Sequence, residues 1–501
     1  MTCCAPSSAQ ASRTKDGVFG EGSRATVAIS ILVKNPDAAE HGRLLYRDIG
    51  DYLTREQKLG FLTEYVSIDG VPWEILEPNA AGDWINQRDD TFATFTPIGD
   101  KDAPGRAVFT TYSRGLETGR DSWVYNSSER SLEGNVAHMI NTYNDEVMRW
   151  EASDKTATIA HFVESNPTLI SWTSTLTSRL QRGQRAAFVP QQFTESVYRP
   201  FNKQYVYFDA DLIHRRGSMP KMFPTSAQEN FGFYVTAAGS GHPFSLIAVS
   251  AIPDLAFWGS GSGQFFPRYT YEKRAGDAEL DIFDGGAPYT RVDNVTGEIR
   301  AEYRELYGAE VEKDDIFYFV YGLLHSPDYR TAYAADLKKM LPRIPTLADP
   351  ADFAAFSAAG RRLSELHLGY ESVEPYPLTI TSSTSVDPDY RVTKMRFAGK
   401  AGAWDKSTIR YNDHITLTGI PDEAHEYLLG SRSAIEWILE RYQVKTDKAS
   451  GIRNDPNDWA TEHDDPEYIL NLLKRIVTVS VETVAIVNAL PALRIRETKR
   501  P

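Results

Sequence analysis

The feature that most constrains the fold lies close to the N-terminus. Phe19 to Lys34 reads FGEGSRATVAISILVK, a glycine-rich turn feeding a β-branched apolar run without polar alternation. A strand buried on both faces has this pattern, whereas a strand with one wet face alternates. Such a strand sits inside an α/β sheet and needs a neighbour on each side. The run from Ala25 to Val33 comes so early in the chain that the flanking strands are not all present, so the protein reads as one that begins in mid-domain.

The remaining sequence is ordinary globular material. At 501 residues it is long enough for two to four domains. Tyr46 to Val66 predicts a short helix with Thr54 as N-cap and Leu59, Leu62 and Val66 on one face. Turn residues then punctuate short apolar runs as far as Gly308. Val189 to Asp209, Asn230 to Ala237, Ser245 to Ile252 and Gly263 to Tyr271 favour strand, while Asn135 to Trp150 and Asn166 to Arg182 favour helix. From Asp314 the pattern is helical, with Ser326-Pro327 and Asp349-Pro350 each opening a new helix. Alternation returns between Pro375 and Leu417, and Tyr427 to Tyr442 and Glu467 to Leu490 are again helical. The expected class is α+β, an α/β sheet remnant followed by a mixed region with helical C-terminal segments. The expected divisions are residues 1–47, 48–308, 309–374, 375–420 and 421–501.

Several chemistries are excluded or disfavoured. Cys3 and Cys4 are the only cysteines, so no disulfide framework and no four-cysteine zinc site exists. No stretch has the apolar length of a signal peptide or a membrane span, which points to the cytoplasm. The sequons at Asn126 and Asn294 carry no weight there. Gly20-Glu21-Gly22-Ser23 precedes a strand instead of following one, and Gly259 to Gly263 has neither a P-loop lysine nor a helix start, so both read as loops. No Asn-Pro-Pro-aromatic turn, His-Glu-x-x-His or Gly-x-Ser-x-Gly motif occurs. His463-Asp464-Asp465 reads as a solvated loop in preference to a metal site.

Two stretches carry more information. Tyr198 to Lys221 interleaves Arg199, Lys203, Arg215, Arg216 and Lys221 with tyrosines and Phe201, against only Asp209 and Asp211. That mixture suits phosphate contacts, with Asn202 and Gln204 as readers of base edges; a surface strand with core tyrosines has the same composition. Val392 to Tyr411 is likewise basic through Lys394, Arg396, Lys400, Lys406 and Arg410 against Asp405, and is the next candidate for DNA contact, with Lys394, Arg396 and Lys400 as the contacting residues; an antiparallel edge strand with lysines has the same composition. The formal net charge of −14 argues against a protein wrapped in nucleic acid but permits a local basic groove.

Five phrases, in order, resemble the C-terminal part of type ISP restriction-modification enzymes: FGEGSRATVAISILVKNP from Phe19, YRDIGDYLTREQKL from Tyr46, YRPFNKQYVYFD from Tyr198, YGLLHSPDYRTAYAADLKKMLPRIP from Tyr321 and EWILERYQVKTDKASGIRNDPNDW from Glu436. The resemblance implies the end of an adenine N6-methyltransferase sheet followed by a target recognition region that binds duplex DNA. It also implies an upstream nuclease, translocase and methyltransferase portion, in cis or as a separate fragment, using S-adenosylmethionine, ATP and Mg. The motifs of that portion are missing here, so no catalytic residue, cofactor site or metal site is assigned to this chain. Two rivals stand beside this reading: a self-contained hydrolase using carboxylates such as Asp281 and Asp284, and a decayed gene remnant.

Overall fold

The computed structural model describes residues 28–50, 53–85, 87–274, 288–383, 389–400 and 402–496. Cys3, Cys4, the Gly20 to Ser23 turn and the Asp281 and Asp284 pair lie outside them. The architecture is mixed α and β, built from small sheets with helices packed between and around them.

The expected two-faced strand does not form. Ala25 to Val27 lie outside the described residues, and residues 28–33 run without strand pairing, with Ile29, Ile31, Leu32 and Val33 between 68 and 82% exposed. A strand exists only through its ladder, and no described strand pairs with this run. Just beyond it, β1 (Leu44–Tyr46) and β2 (Glu74–Leu76) pair antiparallel around α1 (Arg55–Tyr65). Helix α1 starts where the sequence placed it, with Thr54 and Gln57 in a reciprocal capping box. Its apolar face stays uncovered, since Leu59, Leu62 and Val66 are all exposed.

The organising element is a three-stranded antiparallel sheet, β7 (Gly232–Thr236) between β8 (Leu246–Val249) and β10 (Gly263–Pro267). Every residue of β7 and β8 is buried, because each face of this sheet meets a separate core. Phe233, Val235, Leu246, Ala248 and Phe266 face one core. It is completed by α5 (Gly297–Tyr307), α6 (Lys313–Leu323), α7 (Pro327–Ala332), α8 (Ala334–Lys339), α9 (Pro350–Leu368) and the short pair β3 (Thr96–Pro97) with β13 (Arg343–Ile344). Tyr234, Ile247, Val249 and Phe265 face the other core. Strands β11 (Tyr269–Lys273) and β12 (Tyr289–Asp293) form a separate antiparallel pair.

The second core holds a four-stranded sheet in the order β4 (Tyr125–Asn126), β6 (Asn202–Tyr207), β5 (Phe193–Arg199), β9 (Ile252–Pro253). Only the β5–β9 pairing is parallel. The run from Val189 to Asp209 is thus a hairpin and not one strand; it reverses at Pro200-Phe201, where Phe201 takes a positive φ of 56°. Helices α2 (Asp121–Val124), α3 (Glu129–Glu151) and α4 (Ser174–Gln181) pack on this sheet. Leu132, Val136, Met139, Tyr143 and Val147 of α3 recur at three- and four-residue steps and are fully buried.

A further antiparallel sheet has the order β14 (Thr379–Ser382), β17 (Ile415–Thr418), β16 (Ala403–Arg410), β15 (Arg396–Lys400). Tyr427 to Ser433 forms the tight pair β18 (Leu428–Leu429) and β19 (Arg432–Ser433), so the following helix α10 (Ala434–Arg441) is shorter than its apolar pattern predicts. Ser433 caps it with Glu436 in a capping box, a local signal stronger than the upstream periodicity. The chain continues through the hairpin β20 (Lys445–Thr446) and β21 (Arg453–Asn454), α11 (Pro456–Glu462) and α12 (Tyr468–Asn488). Among the described residues no helix is long and apolar enough to cross a membrane.

Candidate nucleic-acid interface

Where α2, the β5–β6 hairpin and the β20–β21 hairpin converge, they enclose a cleft of about 500 Å³. Its walls carry Tyr198 and Gln204 from the first hairpin and Arg441, Gln443, Lys445, Lys448 and Asn454 from the C-terminal segment, with Asp121 and Asp447 as the carboxylates. The second hairpin is fixed to the rest of the fold by short polar bonds. The Ser127 amide donates to Asn454 Oδ1 at 3.0 Å, Asn126 Nδ2 donates to the Arg453 carbonyl at 3.1 Å, and Asn454 Nδ2 donates to Gln204 Oε1 at 3.2 Å. Asn126, one of the two sequon asparagines, is therefore a buried fastener.

The electrostatics of the cleft are positive. The Lys445 ammonium is held below its usual range by partial burial and by the neighbouring guanidiniums, Arg441 foremost. The Arg441 guanidinium is lowered by burial and by Arg199 behind it. Cations gathered on the wall of a cleft attract an anion. Asp121, which accepts from Tyr198 Oη at 3.0 Å and from Thr118 Oγ1, and Asp447 oppose this field but are outnumbered by Arg441, Lys445 and Lys448. Lys448 has no protein partner among the described residues, and Gln443 donates Nε2 to the Leu439 carbonyl at 2.6 Å while Oε1 stays open. Cations beside an amide in a concave wall can hold phosphate and read a base edge at one place.

The sequence-derived candidates divide into three groups. Arg199, Asn202 and Gln204 point inward. Arg199 is buried, with Nη1 at 2.5 Å from Asp254 Oδ1. Asn202 is 2% exposed and Gln204 6%, and Gln204 Nε2 donates to Asn202 Oδ1 at 3.3 Å. Of the three only Gln204 lines the cleft, and its carbonyl oxygen is engaged by Asn454. Lys203 is tied to Glu371 at 2.5 Å, with Glu195 at 3.8 Å.

Arg215, Arg216 and Lys221 lie beyond the hairpin, outside the cleft. Arg215 is exposed and 3.5 Å from Glu117, Arg216 sits over the Phe208 ring, and Lys221 is exposed. Lys394, Arg396 and Lys400 form a third group on and beside β15, all exposed. The strongest cleft residues, Gln443, Lys445 and Lys448, were not among the candidates. The signal was present: Arg441 to Arg453 sets Arg441, Lys445, Lys448 and Arg453 beside Tyr442 against a single carboxylate, Asp447, the same basic and aromatic mixture that singled out Tyr198 to Lys221.

His463 is held against the fold. Its Nδ1 bonds the Trp459 carbonyl at 2.8 Å and its ring stacks on Trp459, 4.4 Å between centroids. Among the described residues no three His, Cys, Asp or Glu side chains converge as a metal site would require.

A family model described as the Type ISP C-terminal specificity domain matches residues 107–472. Curated protein sequences give no match. Among solved structures, a nuclease-deletion mutant of the Type ISP restriction-modification enzyme LlaGI, in complex with a DNA substrate mimic, is 37% identical, with a TM-score of 0.82 over 97% of this chain and 42% of that one. The ATP-dependent Type ISP enzyme LlaBIII bound to DNA is 34% identical, with a TM-score of 0.79 over 93% of this chain and 28% of that one. DrdV in a DNA complex is 28% identical, with a TM-score of 0.75 over 91% and 44%. The chain thus spans less than half the length of each of these relatives. With the family match running through β5, β6 and the whole β20–β21 hairpin, the chain belongs to the type ISP family, in the part that forms its C-terminal specificity domain.

Proposed function

We propose that this chain recognises the DNA target of a type ISP-like restriction-modification enzyme, and that methylation, translocation and cleavage belong to a portion N-terminal to it. The observation that carries this reading is the positive cleft, in which Lys445 and Lys448 stand beside the open Gln443 amide oxygen. In this reading the lysines set the register on the phosphates and Gln443 meets a base edge, an adenine being the pairing its amide geometry suits best. S-adenosylmethionine, ATP and Mg serve the N-terminal portion, and the protein works in the cytoplasm beside the DNA. Arg215, Arg216, Lys221, Lys394, Arg396 and Lys400 are peripheral phosphate contacts. Arg199, Asn202, Lys203 and Gln204 support the hairpin that forms one wall of the cleft.

The test is a set of binding isotherms for Gln443→Ala and Lys448→Ala on duplexes that do and do not contain the target, at two salt concentrations. Lys448→Ala should weaken all duplexes alike and lower the salt slope by about one unit. Gln443→Ala should cost about 1 to 3 kcal/mol on the target and little elsewhere. Equal affinities for every duplex in the unaltered chain would refute target recognition.

A further inference from the structure

The sheet β14–β17–β16–β15 buries one face and leaves the other open. Phe397, Ile409 and Leu417 lie in register across three strands and enter the core. Residues opposite one another on neighbouring antiparallel strands share a face. The open face therefore carries two cross-strand rows, beside the Ala398–Asp405 pair beyond the bulge. One is Arg396, Arg410, Thr416 and Thr381; the other is Thr408, Thr418 and Thr379.

Arg396 and Arg410 are directly opposite and both exposed, and neither meets a carboxylate among the described residues. Like charges in that position weaken a sheet. The nearest carboxylate along the chain, Asp413 in the β16–β17 turn, pairs with neither. Exposed Lys394 and Lys400 flank the row at the two ends of β15. Beyond the bulge in β15, Asp405 lies opposite Ala398 on this face, but its carboxylate takes the Ser407 hydroxyl at 2.6 Å and the Thr408 hydroxyl and meets neither arginine, so the two guanidiniums stand side by side unneutralised.

We propose that this open face is a second DNA-binding surface, separate from the cleft, and that it holds the phosphate backbone of the duplex without reading sequence. Arginines hold phosphate oxygens through paired N–H donors, and threonine hydroxyls are regular phosphate donors. The row from Arg396 to Thr381 crosses three inter-strand steps of about 4.8 Å, roughly 14 Å. A duplex carries on the order of eight phosphates over that length. Threonine hydroxyls also donate to carboxylates, so an acidic protein patch is the occupant that an unchanged salt slope on DNA would indicate. The inference rests on the target-recognition reading, because it places the same duplex on a second face.

The experiment uses the full chain and a fluorescently labelled duplex of mixed sequence, titrated over a range of salt concentrations. Arg396→Ala with Arg410→Ala should lower the slope of log affinity against log salt by about two units, on every duplex alike, and leave the ratio between target and other duplexes unchanged. Arg410→Glu, which turns the like-charge pair into an ion pair, should keep or raise the melting temperature while weakening binding at least as much. A double variant with the slope of the unaltered chain would overturn the second surface and leave the cleft reading intact. If the unaltered chain bound no duplex at all, the cleft reading would fall, and this inference with it.

Discussion

Two buried histidines limit how acidic a solution the fold tolerates. His367 lies where α9 meets α12, its Nδ1 2.6 Å from Tyr321 Oη and its Nε2 2.9 Å from Thr483 Oγ1. Burial lowers its imidazole from 6.5 to about 3, and burial, with Arg330 next, lowers His325 as well. The unfolded chain takes up a proton near pH 6.5 that the folded chain refuses, so this stability is complete above that value and is lost as pH falls toward 3. The loss should reach about 1.4 kcal/mol per pH unit for His367 alone. Thermal melts between about pH 6.5 and pH 5, above the range where carboxylates dominate, should show it, and His367→Gln should flatten the dependence. An unchanged slope in the variant would mean that His367 is protonated in the native state. Asp254 shows the same principle with the opposite charge: burial pushes its carboxyl up to about 7 although the Arg199 guanidinium beside it pulls the other way.

Among the elements, the tightest contact is the crossing of α6 and α9. A Cβ on Gly322 would overlap the Phe356 carbonyl, and one on Gly360 would overlap the Tyr318 carbonyl, so each helix presents bare backbone to the other. Here glycine is needed for proximity and not for its φ. Gly360→Ala should destabilise the fold by about 1 to 3 kcal/mol through overpacking. Gly134→Ala, on α3 with open space at its Cβ, should stabilise by about 0.5 to 1 kcal/mol. Chemical denaturation of both variants checks the contrast; equal effects would mean that the helices separate at no cost.

For the molecule as a whole, the exposed apolar surface is concentrated in one region. Ile29, Ile31, Leu32, Val33, Leu62, Val66 and Ile75 are all more than half exposed, and all precede the first residue of either core, Phe92. Surface of this kind drives association. The chain should self-associate with rising concentration in light scattering, and replacing Ile29, Ile31 and Val33 by Ser should reduce that without altering the melting temperature. A monomer at all concentrations would contradict it.

Much of this arrangement could be read from local chemistry. Thr54, Ser326, Asp349 and Ser433 cap helices because an N-cap needs only its own side chain and an amide two or three residues on. The buried strands β7 and β8 and the stripe of α3 follow from periodicity, which is also local. The basic and aromatic composition of Tyr198 to Lys221 marked the hairpin that walls the cleft, and the family phrases spanned the matched region. Composition could not tell which cations face solvent, because that depends on partners far along the chain: Asp254 for Arg199 and Glu371 for Lys203. It could not bring Gln443 and Lys445 beside Tyr198, more than 240 residues away in sequence, since that meeting is made by the bonds among Asn126, Ser127, Gln204, Arg453 and Asn454. Nor could the run at Ala28 to Val33 become a strand on its own pattern, because a ladder needs a neighbour and only tertiary structure supplies one.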